Sequence, residues 1–120
     1  ARYFPLSEAL FRYLRHHVQG ITSVVTLIEV LVYPQRQGRQ DLVQTYERAL
    51  LHSRQVQVLP VDVTLARRTA ELRARYGIFV PDAAQIAAAL LAGATAFITN
   101  DRRLTKVQDI AVLVLDDYVG

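Results

Sequence analysis

The sequence predicts an α/β fold with a parallel sheet covered by helices on both faces. Short apolar runs rich in β-branched residues recur as "ITSVV" (21–25), "VQVLP" (56–60), "TAFIT" (95–99) and "VLVL" (112–115). Unbroken runs of this kind are the mark of strands buried on both faces. The segments between them carry helical spacing, and strands that alternate with helices imply parallel crossovers. A third observation sets the scale: 120 residues, 52% of them hydrophobic, with a mean hydropathy of +0.16, suit one folded domain over residues 1–120 and not a disordered chain.

Each element has a local reason. In "FPLSEALFRYLRHHV" (4–18) the residues Leu6, Leu10, Phe11 and Leu14 share one face, which predicts an amphipathic helix ended by Gly20. The strand 21–25 follows, then a helix from about Thr26 towards Arg36, with Pro34 late in it as the point of a bend. After Gly38, "RQDLVQTYERALLHS" places Leu42, Val43, Tyr46, Ala49 and Leu50 on an inner side. The strand 56–60 leads to "VTLARRTAELRARYG", capped by Asp62 or Thr64, with Leu65, Ala66, Thr69, Leu72 and Tyr76 at helical spacing and Gly77 as the stop. Pro81 suits the first turn of the next helix, which runs to about Ala92 and ends at Gly93. The strands 95–99 and 112–115 complete the series.

Composition excludes several classes. There is no cysteine, so neither a disulfide framework nor a thiolate metal site is available. The opening "ARYFPLSEAL" lacks the basic region and long apolar run of a signal peptide. The apolar stretch around 86–98 is broken by Gly93 and falls short of the ~20 residues of a membrane span. A soluble cytoplasmic protein is the expectation. The net charge is +3 and the pI about 9.6, compatible with a phosphate-rich partner. Lys106 is the single lysine among 14 basic residues.

Three acids stand in unusual places. Glu29 lies in "VVTLIEVLVY", where its helical neighbours are Val25, Thr26, Val32 and Tyr33. Burying an unpaired carboxylate there is costly. Either Glu29 is exposed at the edge of its helix or it coordinates a metal. Asp82 opens its helix, where an acid also suits the positive end of the dipole. Asp101 closes "FITND" at a strand end, where it also suits a cap for "DRRLTK". Together they gain weight, because ligand sites in parallel α/β sheets form beyond the carboxyl ends of the strands. Clustered carboxylates are the donors that Mg²⁺ or Mn²⁺ takes. The expectation is that Glu29, Asp82 and Asp101 converge at one edge of the sheet. Ser23, Thr99 and Asn100 are placed to support them by hydrogen bonds, and Arg102 and Arg103 to hold phosphates or simply to be solvated. His16, His17 and His52 are scattered and read as surface residues, and Asp116 and Asp117 as a solvated turn. There is no Gly-rich phosphate loop and no GxSxG elbow.

The segments "TSVVTLIEVLV", "VPDAAQIAAALLAGATAFITNDRRL" and "VLVLDD" resemble the PIN domain, and in particular the toxin ribonucleases of VapBC toxin–antitoxin systems. The resemblance covers residues from about 21 to 117. It implies a three-layer fold with a central parallel sheet flanked by helices, and a Mg²⁺- or Mn²⁺-dependent endoribonuclease acting on RNA. It also implies a cognate antitoxin that covers the site, and a homodimer. Three of the family's four acids map onto Glu29, Asp82 and Asp101. The fourth, on a first strand, has no counterpart, and "ARYFPLSEALFRYLRHH" resembles the helix that follows that strand. The chain is therefore expected to lack the first strand, whose place is between "ITSVV" and "TAFIT". Those two strands should then share no direct ladder, and another segment should fill the place. Two other readings of the acids stay open. One is a non-catalytic PIN-like module that binds a basic peptide in its acidic cleft. The other is a receiver-type signalling domain, disfavoured because Lys106 is the sole lysine.

Overall fold

The computed structural model describes residues 20–52 and 56–118. The expected helix over 4–18, with His16 and His17, lies outside the described residues. The described elements, in order, begin with strand β1 (Gly20–Ser23), helix α1 (Val24–Arg36), helix α2 (Gln40–Leu51) and strand β2 (Val56–Leu59). Helices α3 (Val63–Tyr76) and α4 (Val80–Leu91) and strand β3 (Ala96–Thr99) follow. A 3-10 turn (Arg102–Lys106), strand β4 (Ala111–Val114) and a second 3-10 turn (Leu115–Tyr118) end the series. The α/β class is as expected.

The strands form two parallel pairs. β1 pairs with β2 in the register Gly20↔Val56 to Ser23↔Leu59. β3 pairs with β4 in the register Ala96↔Ala111 to Thr99↔Val114. Among the described residues no ladder joins β1 to β3, as the expectation of an intervening strand requires. The expectation that another segment fills the place lies outside the described residues.

Several boundaries differ from those expected. β1 begins at Gly20, one residue before the strand read from Ile21. The strand read as 21–25 stops at Ser23, whose hydroxyl accepts a hydrogen bond from the Val25 amide at 3.2 Å and caps α1. That cap places Val24 and Val25 in the helix despite their β-branched side chains. Pro34 is buried inside α1, which continues to Arg36. Asp62, not Thr64, caps α3, accepting from the Leu65 amide at 2.9 Å. Gly77 closes α3 in the left-handed conformation, φ 68°, where its amide donates to the Arg73 carbonyl, a geometry that side chains with a Cβ disfavour.

The core gathers around α4. Ala83, Ala84, Ile86, Ala87, Ala88 and Ala89 are all buried, so small side chains cover nearly the whole circumference of this helix. It packs against α3, β1, α1 and β3. Leu65 and Leu72 of α3 join it, with Ile78, Leu104, Val107 and Ile110 closing the cluster. Alanine on most faces lets neighbouring elements approach from several sides at once. The loop before β4 is tied to α3 by Asp109, which accepts from Arg68 at 3.0 Å, from Arg75 at 3.4 Å and from the Tyr76 hydroxyl. α4 is held by its packing in the core, and its first turn carries Asp82 and its second Gln85 to the site.

Candidate active site

Asp82 stands in the first turn of α4, with Pro81 beside it. Asp101 stands just past the carboxyl end of β3 and caps the 3-10 turn 102–106. The two carboxylates act on each other. Burial first, and the Asp101 charge second, push the Asp82 carboxyl up from its ordinary range, with Arg103 pulling the other way. Asp101 moves down, because Arg103 bonds to its carboxylate.

Asp101 is oriented from three directions. Its backbone amide donates to the Thr99 hydroxyl at 3.1 Å. Its Oδ1 accepts from the Arg103 amide at 3.0 Å and from Arg103 Nε at 2.9 Å. Its Oδ2 accepts from Arg103 NH2 at 2.7 Å. The Arg103 guanidinium also lies 5.8 Å from the centre of the Phe79 ring, a distance that permits a cation–π contact.

Glu29 is exposed, so the burial cost suggested by its apolar neighbours does not arise. Its Oε1 accepts from Gln85 Nε2 at 3.0 Å. Gln85 is three residues beyond Asp82 and on the same side of α4, so the bond ties α1 to the helix that carries Asp82. Among the described residues no three His, Cys, Asp or Glu side chains form a group that could hold a metal ion. The arrangement is an aspartate pair, with Glu29 bonded one turn along α4. The donor chemistry of the pair suits a hard cation: both groups offer carboxylate oxygens, and a divalent ion favours the charged form of Asp82 that burial opposes.

The remaining sequence candidates are placed as follows. Ser23 is fully buried and serves as the α1 cap. Asn100 is exposed beside Asp101. Arg103 holds Asp101, while Arg102 forms an ion pair with Asp117. Asp117 is exposed, as a solvated turn predicts, but Asp116 is half-buried with its Oδ1 out of contact with solvent, and His52 is exposed. Two residues were not anticipated. Gln85 had a legible signal, its three-residue offset from Asp82. Phe79 had none, since an apolar residue before "VPDAA" reads as core, yet it is 59% exposed.

A parallel α/β domain with paired aspartates where a strand's carboxyl end meets a helix N-terminus is the general class that fold and site define. The PIN domain family model matches residues 5–110, and the chain belongs to the PIN-domain family. Among solved structures it is similar to a toxin–antitoxin complex from Klebsiella pneumoniae, with 23% identity over 78% of this chain and 71% of that one and a TM-score of 0.62. It is also similar to VapBC2 from Rickettsia felis bound to a DNA fragment from their promoter, with 12% identity over 89% of this chain and 83% of that one and a TM-score of 0.68. At these identities the likeness concerns the fold. No curated protein matches the chain.

Proposed function

We propose that this PIN domain is a divalent-metal-dependent endoribonuclease, the VapC-type toxin of a toxin–antitoxin pair. The observation that carries the reading is the placement of Asp82 in the first turn of α4 and of Asp101 just past the carboxyl end of β3, in a chain of the PIN family. Asp82 and Asp101 would hold Mg²⁺ or Mn²⁺, with Glu29 held beside them by its bond to Gln85, one turn along α4. A bound ion of this kind neutralises charge on a scissile phosphate and makes water a better nucleophile. The chain's own residues do the positioning. Thr99 and the 3-10 turn 102–106 fix the direction of Asp101, α4 fixes Asp82, and Arg102 and Arg103 steady the RNA backbone. An antitoxin partner fits the reading, since both similar structures are toxin–antitoxin complexes. A homodimer and a cytoplasmic location belong to it as well; among the described residues no helix is long and apolar enough to cross a membrane.

RNA cleavage by the intact protein, compared in Mn²⁺ and in EDTA, tests the enzyme. Cleavage should need the metal and should vanish in Asp82→Ala. Metal-independent cleavage, or full activity in that variant, would sink the proposal.

One observation favours a second reading, a non-catalytic module whose acidic cleft binds a basic peptide. Asp101 already accepts a guanidinium through both oxygens, as it would from a peptide arginine. Absence of Mn²⁺ binding by the intact protein would favour the module.

A further inference from the structure

Phe79 occupies a position where its chemistry is poorly matched to structure. It is the N-cap of α4, and its side chain makes no capping hydrogen bond. Serine, threonine, aspartate or asparagine there would satisfy a free amide of the first turn. The residue is 59% exposed, so burial does not account for it either. The residue thus forgoes a cap and leaves an aromatic side chain largely exposed, with the Arg103 guanidinium beside it. Asp82 follows three residues later, and Arg103 joins the Phe79 ring to the Asp101 carboxylate. Val80, next to it, is 53% exposed.

We propose that Phe79 is a stacking platform for an unpaired nucleobase of single-stranded RNA, with Arg103 beside it to meet the neighbouring phosphate. The inference rests on the ribonuclease reading and names the feature of the substrate that this site holds. A flat exposed ring flanked by a guanidinium matches a polymer of planar bases joined by anions. Single strands are bound in this manner, with bases stacked on aromatic side chains and phosphates met by arginine. A duplex does not offer its bases in this way, so the platform selects single-stranded segments. The 70% exposed side chain of Arg103 is open to a phosphate while its Nε and NH2 remain near Asp101.

The test is fluorescence anisotropy with a labelled single-stranded RNA oligonucleotide and an abasic sugar-phosphate strand of equal length, in EDTA so that no cleavage occurs. The wild-type protein should prefer the base-bearing strand by roughly tenfold or more, from the usual strength of one base–aromatic stack. Phe79→Ala should lose that preference while keeping its affinity for the abasic strand, and Phe79→Trp should retain it. Arg103→Gln should weaken binding to both strands alike and flatten the salt dependence. Thermal unfolding of each variant checks the fold, and the exposed Phe79 side chain should be replaceable without a fall in melting temperature. Equal affinity of the wild type for the two strands, no binding to either, or a preference unchanged in Phe79→Ala would overturn the proposal. The metal-dependent cleavage assay stands apart: its failure alongside an intact base preference would remove the enzyme and leave the platform.

Discussion

The substitution Ile86→Ala tests how far the site depends on the packing of α4. Ile86 is fully buried, one turn beyond Asp82 and next to Gln85, in the cluster with Leu65 and Leu72. The change deletes three side-chain carbons. At ~0.8 kcal/mol for each buried methylene the transfer loss is about 2.4 kcal/mol. The cavity adds to it, because a helix surrounded by alanines has few long side chains able to collapse inwards, so the total belongs in the ~2–5 kcal/mol range of such truncations. An unfolding entropy of ~2.1 cal/mol/K per residue, over 120 residues, amounts to about 250 cal/mol/K. A loss of about 3 kcal/mol then lowers the melting temperature by about 12 °C. Urea unfolding and calorimetry of wild type, Ile86→Val and Ile86→Ala measure it, with the valine variant losing about 1 kcal/mol. A loss below about 1 kcal/mol in Ile86→Ala would refute the account of α4 as the tightly packed centre of the domain.

Two further outcomes follow from the same geometry. Asp62→Ala removes the α3 cap on the Leu65 amide and should cost about 1 kcal/mol, read as a melting point about 4 °C lower; no change would show that the cap is not contributing. Asp82→Asn should abolish metal-dependent cleavage and yet stabilise the protein at neutral pH. The folded carboxyl is pushed up by burial and by Asp101, so the folded state keeps its proton to higher pH than the unfolded chain, and wild-type stability falls as pH rises through that raised value. The asparagine variant has no such fall, and its urea midpoint should exceed the wild type's by more at pH 7 than near pH 4; an equal gap at both would contradict the raised carboxyl.

The strands and helices were legible because apolar runs and helical spacing are local properties of the sequence. The boundary at Ser23 was not, because β-branched "VV" favours a strand while the Ser23 hydroxyl offers a cap to the Val25 amide, and the helix prevailed. The placement of Asp82 at a helix start and Asp101 at a strand end also came from local pattern. Their electrostatic coupling came from α4 running back towards the end of β3, which the order of elements suggested. Glu29 was harder. Its apolar neighbours in sequence implied burial, but the face of α1 that includes Ile28, Val32 and Tyr33 is exposed, and its partner Gln85 is 56 residues away. The Arg103 bridge between Asp101 and Phe79 is likewise a product of tertiary packing, since an arginine two residues after an aspartate has many other conformations open to it.

The aspartate pair as a cation site is the central claim, and calorimetric titration of Mn²⁺ into the intact protein tests it most directly. The account predicts saturable binding that is lost in Asp82→Ala and in Asp101→Ala but kept in Asp117→Ala, whose carboxylate is paired with Arg102 in the C-terminal turn. Absence of binding by the wild type, or equal binding by all three variants, would contradict it.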